Sequence, residues 1–213
     1  YRRLRDLGVS GMMTCWNFGN MPSLATEVAG EFTWAPQPSV EAGLRAIAAR
    51  HFGPDAADDV IAAWDKLSLA HQDFPGSIPV MYNGPVSRGP ACLFMFDQVN
   101  KPFPNSWLLE KDIEGDQFGW TSPFTPEQVL LCYRSEVAKA AEGLALLEQA
   151  LARTTGDDHR RLARELGVAR FHIIQTTSAA NVVDFLLTRD AFYASADAAE
   201  KAALLDRMET LCR

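Results

Sequence analysis

The sequence lacks the cysteine spacing that is typical of disulfide-rich proteins and of zinc sites. Its four cysteines, Cys15, Cys92, Cys132 and Cys212, lie far apart and form no CxxC pair. This spacing excludes a zinc ribbon and the disulfide framework of small secreted proteins. We therefore interpret all four as buried free thiols, the usual role of isolated cysteines.

The sequence also lacks the features of two large functional classes. Its 20 Lys and Arg residues against 27 Asp and Glu residues give a net charge of −7, without the basic stripe typical of nucleic-acid-binding proteins. No apolar run approaches the roughly 20 residues that a membrane-spanning helix needs. We therefore expect neither nucleic acid nor a membrane as a partner. The absence of a signal peptide favours a cytoplasmic location, although the compartment stays open.

Sequence motifs that identify common catalytic and cofactor sites are absent. The chain has no GxGxxG, no P-loop, no HExxH, no GxSxG elbow and no EF-hand loop. The four histidines, His51, His71, His159 and His172, show no metal-ligand spacing, and no Glu-x-x-His pair indicates a metal inside a helical bundle. The sequence therefore predicts no cofactor and no metal site, and it leaves the catalytic residues unknown.

Helical periodicity dominates most of the chain. The spacing of apolar residues predicts helices over about 39–52, 55–72 and 125–153, a long helix marked from Leu162 to about Phe192, and a last helix from about 197 onwards. Between about 74 and 124, seven prolines and five glycines forbid long helices. Its aromatic content predicts an ordered but irregular segment packed on the rest of the protein. We therefore predict a mainly α fold with a helical bundle.

The first 36 residues show a different pattern. Leu4 and Leu7 predict a short helix that ends at Gly8, and the apolar run from Val9 to Trp16 predicts a buried strand. A helix followed by a buried strand is the αβ step of a parallel sheet or an α/β barrel. Because one strand cannot form a sheet alone, its partners are expected in another part of a larger protein.

The chain begins at Tyr1 without an initiator Met and ends within an apparent helix at Arg213. Both ends support the interpretation that the sequence is part of a longer polypeptide. We predict two domains: residues 1–36 as the end of a TIM-type α/β barrel, and residues 37–213 as a helical C-terminal domain. The rest of the parent polypeptide would be its first partner, and a homo-oligomer is also compatible with the sequence.

The candidate binding residues begin where the predicted strand ends. In an α/β barrel the carboxyl ends of the strands face the active site. Trp16 could there offer a flat apolar surface to a sugar ring, and the amides of Asn17 and Asn20 could bridge hydroxyl groups. In the alternative interpretation, Trp16 covers the core and both asparagines form turns. The sequence does not decide between them.

A second candidate lies in the stretch Tyr82-Asn83-Gly84-Pro85-Val86-Ser87-Arg88-Gly89-Pro90. Two corners of Gly and Pro predict a stiff loop that carries Tyr82 and Arg88 to the edge of a site, or else a plain structural turn. Glu27 and Glu31 are the only carboxylates near the suspected binding face, and a structural role is favoured for both. A carbohydrate is the expected ligand of this face.

These stretches resemble the last strand region of certain bacterial barrel-type glycoside hydrolases. The similarity covers roughly residues 1 to 100, through Tyr1 to Val9, Cys15 to Pro22, Ile47 to Gly53 and the Tyr82–Pro90 loop. A barrel end followed by a helical domain is similar to α-glucuronidase-like and β-N-acetylhexosaminidase-like proteins. The resemblance implies substrate contacts by Trp16 and Asn17, whereas the catalytic carboxylates of such enzymes lie on earlier barrel strands.

Two functional hypotheses follow from the sequence. The first is the C-terminal part of an enzyme that hydrolyses glycosidic bonds, inactive on its own because the catalytic carboxylates lie elsewhere. The second is a non-catalytic helical interaction or scaffold module. The second leaves the lone buried strand unexplained, so the first ranks above it.

Overall fold

The protein is mainly helical, as the sequence predicts. The structure is a computed structural model, and it describes residues 2–11, 23–34, 36–88, 94–97 and 118–213. Within these ranges the chain forms helices and connecting turns and contains no strand. None of the helices in these ranges is long and apolar enough to cross a membrane.

The helices follow one another in short and long groups. The first four are α1 (Arg2–Asp6), α2 (Leu24–Glu31), α3 (Val40–Phe52) and α4 (Ala57–His71). Two short helices come next, α5 (Ile78–Asn83) and α6 (Pro85–Arg88), and a 3₁₀ turn covers Gly119–Thr121. The last three are α7 (Pro126–Leu151), α8 (Gly156–Ala194) and α9 (Ala198–Leu211).

Local hydrogen bonds explain where several helices begin and end. Thr125 and Gln128 form a capping box. The backbone amide of Gln128 donates to Thr125 Oγ1, and the backbone amide of Thr125 donates to Gln128 Oε1. Asp197 caps α9 by accepting from the Ala199 amide at 3.0 Å. Gly53 ends α3 with a φ of 86°, a conformation that glycine adopts without steric cost. The predicted bounds of these helices are confirmed to within a few residues.

The predicted αβ step of a barrel is not supported. The short first helix and the left-handed Gly8 are confirmed, with a φ of 75° at Gly8. Val9, Ser10 and Gly11, however, are exposed and belong to no strand. The reason is local: the Val9 amide donates to the carbonyl of Leu4 at 3.0 Å and so closes the end of α1 instead of pairing with a sheet. The rest of the predicted strand, residues 12–16, lies outside the described residues.

The prediction of an irregular segment over 74–124 is wrong for residues 78–88. Its prolines begin short helices there instead of preventing them. Ser77 caps α5 with Pro79 in the first turn, and Pro85 is the first residue of α6. Proline is favoured at these positions because the first amides of a helix have no helical partner. The predicted stiff loop around Tyr82 and Arg88 is therefore a pair of short helices.

The chain divides into two compact units. The first comprises Tyr1–Trp64 and Leu146–Glu165. Its described core side chains are small or aliphatic, together with Phe32 and Phe52, and the Phe52 ring meets the Trp64 indole edge-on at 6.1 Å. They include Ile47, Ala48, Phe52, Val60, Leu147 and Leu162. The predicted domain boundary after residue 36 stays a prediction.

The second unit comprises Asp65–Ala145 and Leu166–Arg213, and its described residues form two hydrophobic clusters. The larger cluster surrounds the Trp120 indole and the Tyr133 ring, with Val80, Val129, Leu130, Ala179, Ala180 and Val183. The smaller one joins α8 to α9 through Val182, Phe185, Leu186 and Met208. These clusters hold the helices that carry the candidate site.

Candidate functional site

The structure brings together two of the predicted binding residues. Tyr82 lies on α5 with 39% of its surface exposed, and Arg88 lies on α6 and is exposed. The Nε atom of Arg88 donates to the backbone carbonyl oxygen of Tyr82 at 3.1 Å, which ties the arginine side chain to the backbone at the end of α5. Trp16, Asn17 and Asn20 lie outside the described residues, so their predicted role stays a prediction.

The two glutamates near the predicted binding face take part in ion pairs. Glu27 on α2 accepts from Arg50 Nη1 at 2.5 Å and lies 2.6 Å from His51 Nε2. Glu31 pairs with Arg50 Nη2 at 3.5 Å. These bonds join α2 to α3, which agrees with the structural role favoured for both glutamates.

A second group of polar residues was not predicted from the sequence. His71 at the end of α4, Glu136 in α7 and His172 in α8 converge in the second unit. The Nδ1 atom of His71 and the Nε2 atom of His172 each lie 3.0 Å from the same oxygen, Glu136 Oε1. The two imidazoles meet edge to face, with ring centroids 6.0 Å apart. We call these three residues the His–Glu–His centre.

Helical periodicity places each member of the centre. Glu136 lies on the buried face of α7, three residues after Tyr133 and four before Ala140, both of which are buried. His172 lies one turn before the buried Thr176 on α8. His71 ends α4, where its ring stacks on Phe74 at a centroid distance of 5.5 Å. A carboxylate therefore occupies a core position, while its two imidazole partners reach towards solvent.

Among the three side chains of the centre, the buried Glu136 carboxylate has the largest desolvation penalty. Its side chain is 0% exposed, whereas 66% of the His71 side chain and 37% of the His172 side chain are exposed. A buried carboxylate is stable only if its oxygens find donors or a cation. Oε1 has both imidazoles, but Oε2 is buried with no hydrogen-bond partner among the described residues.

The Glu136 carboxylate affects the pKa of His172, the histidine of the centre that lies on α8. The pKa of His172 is raised from its ordinary value, first because its ring donates a hydrogen bond to Glu136 and second because the carboxylate is negative. Partial burial of the ring opposes this shift. The arrangement therefore favours a positive charge next to Glu136.

A neighbouring carboxylate fixes the end of α4 against α7. Asp73 Oδ2 accepts from Ser135 Oγ at 2.5 Å and pairs with Lys139 Nζ at 2.6 Å. The hydrogen bonds from Lys139 and then from Ser135 hold the pKa of Asp73 below its ordinary range. Because Ser135 precedes Glu136 and Asp73 follows His71 by two residues, this contact helps to set the separation of His71 and Glu136.

The centre was missed because its members are distant in sequence. His71 precedes Glu136 by 65 residues, and His172 follows it by 36. Short motifs such as HExxH detect only ligands on one helix. One signal was present: a glutamate on the apolar stripe of α7, at a spacing where the other positions are hydrophobic. A charged residue at a buried position indicates a hydrogen-bonding or oppositely charged partner, but the sequence alone does not show which residue this partner is.

The chain was also compared with known proteins, and no family model, no curated protein and no solved structure matches it.

Proposed function

We propose that this chain is the mainly helical C-terminal part of an enzyme that hydrolyses glycosidic bonds. In this proposal the chain supplies substrate contacts, and the catalytic carboxylates lie elsewhere in the parent protein. The residues that contact the carbohydrate are Tyr82 and Arg88, together with Trp16, Asn17 and Asn20. The support from sequence is the resemblance to barrel-type glycoside hydrolases over roughly residues 1 to 100.

The pairing of Tyr82 with Arg88 is the single structural observation that carries the proposal. An exposed tyrosine offers a flat apolar face and a hydroxyl group, a combination suited to the C–H face and hydroxyls of a sugar. The Arg88 side chain is anchored to the same short segment by the 3.1 Å bond from Nε to the backbone carbonyl of Tyr82. A guanidinium binds a carboxylate through two parallel hydrogen bonds, so the pair favours a uronic acid over a neutral sugar.

Calorimetric titration with oligosaccharides tests the proposal. The panel contains a glucuronic-acid oligosaccharide, an N-acetylglucosamine oligosaccharide and a neutral glucose oligosaccharide. We expect the uronide to bind the chain most tightly, and we expect Tyr82→Ala and Arg88→Ala each to weaken binding by about tenfold, or about 1.4 kcal/mol. Both side chains are exposed, so the melting temperature should change little.

The control is Arg160→Ala, which removes an exposed arginine from α8. This variant should bind the uronide as tightly as the parent chain. If no sugar binds, or if Arg160→Ala weakens binding as much as Arg88→Ala, the proposal is wrong. A chain that binds no sugar would instead be assigned the second role, a helical interaction module without chemistry.

A further inference from the structure

We propose that the His–Glu–His centre is a binding site for one divalent transition-metal ion, of which Zn²⁺ is the representative. The ligands would be His71 Nδ1, His172 Nε2 and the Glu136 carboxylate. This inference goes beyond the proposed carbohydrate function and does not depend on it, since Tyr82 and Arg88 take no part in the centre.

The distances at the centre fit coordination. Its three ligand atoms all lie within 4.8 Å of one another, and both nitrogens are 3.0 Å from Glu136 Oε1. In a tetrahedral site, metal–ligand bonds of about 2.0 to 2.2 Å place neighbouring ligand atoms about 3.3 to 3.6 Å apart. A single ion could therefore contact all three side chains with small adjustments of the imidazole rings.

The unpartnered oxygen of Glu136 is the independent observation that points to a ligand. Oε2 is buried, and no donor in the described part of the chain reaches it. Hydrogen bonds from the two imidazoles account for Oε1 alone. A divalent cation would compensate both oxygens of a carboxylate that is 0% exposed, which two hydrogen bonds to one oxygen do not.

The ligand types narrow the class of metal ion. Two imidazole nitrogens and one carboxylate oxygen suit Zn²⁺ and other divalent transition metals, whereas Ca²⁺ and Mg²⁺ prefer oxygen ligands alone. The exposed surfaces of His71 and His172 leave room on the solvent side for water or another ligand to complete the coordination sphere. The centre resembles an open site more than a closed structural one.

The first experiment is titration of the metal-free chain with Zn²⁺ in competition with a chromophoric chelator. We expect one tight site per chain. His71→Ala and His172→Ala should each weaken binding at least about 100-fold, because loss of a ligand costs more than the 10- to 100-fold loss typical of residues behind the ligands. His159→Ala, which removes an exposed histidine from the same helix as His172, should bind Zn²⁺ like the parent chain.

The second experiment uses Co²⁺ to identify the ligand atoms. Cysteine thiolates bound to Co²⁺ give an intense near-ultraviolet band, so a site of two histidines and one glutamate should show visible bands without it. This readout separates the centre from the described cysteines, Cys132 and Cys212. Both are free thiols, but Cys132 is only partly buried and Cys212 is exposed, so the predicted burial is wrong for Cys212.

Three outcomes would overturn the metal site. They are the absence of stoichiometric Zn²⁺ binding, full binding by either His71→Ala or His172→Ala, and a thiolate band in the Co²⁺ spectrum. Because His71→Ala truncates a side chain that is 66% exposed, this variant should still fold, and its circular dichroism spectrum verifies that it does. Sugar binding should be unchanged in this variant, so failure of one proposal is distinguishable from failure of the other.

Discussion

Close packing at Gly84, between α5 and α6, leaves no room for a side chain. A Cβ atom there would lie 2.5 Å from the Val80 carbonyl oxygen and 2.9 Å from Cε3 of Trp120. Neither atom can move easily, because one belongs to the backbone and the other to a buried indole. We expect Gly84→Ala to lower the free energy of unfolding by about 1–3 kcal/mol in urea denaturation.

Gly167→Ala is the matched control for this prediction. Gly167 is an exposed residue inside α8, and no atom lies within 4 Å of a Cβ placed there. Alanine is the better helix former, so the same substitution should raise the stability by about 0.5–1 kcal/mol. Equal effects of the two substitutions would contradict the packing described around Trp120.

Single residues also show where prediction from sequence ends. Thr125, Asp197 and Gly53 could be assigned to helix ends because a cap depends on a few neighbouring residues. The pairing of Glu136 with His71 and His172 could not be predicted in this way. It depends on which faces of three helices pack together. Apolar periodicity predicts the buried face of each helix, but it does not predict which other helix packs against that face.

At the scale of helices, one buried carboxylate joins three elements of the second unit. Asp184 on α8 pairs with Arg134 on α7 and, at 2.6 Å, with Arg207 on α9. Asp184→Asn would leave both guanidiniums without their charged partner. Because each arginine is about half exposed, we expect a loss of about 1–3 kcal/mol rather than the full cost of a buried ion pair.

Amide hydrogen exchange would show which helix loses stability in Asp184→Asn. We expect the amides of α9 to exchange faster in Asp184→Asn, because the Arg207 ion pair is one of the contacts that hold this helix, together with the buried Met208. Asp206→Asn, an exposed substitution on α9 itself, should change the stability by less than about 0.5 kcal/mol. Unchanged protection of α9 in Asp184→Asn would show that this carboxylate does not hold it.

Two element predictions were wrong for residues 9–11 and 78–88, and the physical reasons are visible in the structure. Apolar character from Val9 onwards indicated a strand, but a strand requires a neighbour, and the amide of Val9 bonds back to α1 instead. Prolines in the segment after Phe74 indicated irregular structure, but Pro79 and Pro85 lie in the first turns of α5 and α6, where proline is favoured.

At the scale of the whole molecule, the mainly helical class could be predicted because long apolar stripes repeat every three to four residues in α7 and α8. The proposed function rests on fewer residues. Three observations support it. The net charge of −7 disfavours nucleic acid as a ligand, Arg88 bonds to Tyr82, and residues 1 to 100 resemble glycoside hydrolases. Substrate contact at this pair is the central claim.

Heteronuclear NMR of the ¹⁵N-labelled chain during titration with a glucuronic-acid oligosaccharide tests that claim most directly. We expect saturable shifts for the amides of α5 and α6 around Tyr82 and Arg88 and for the indole N–H of Trp16. The amides of α9 should not move. Shifts that are absent, or that occur on α9 and not around Tyr82, would contradict a carbohydrate-binding role for Tyr82 and Arg88.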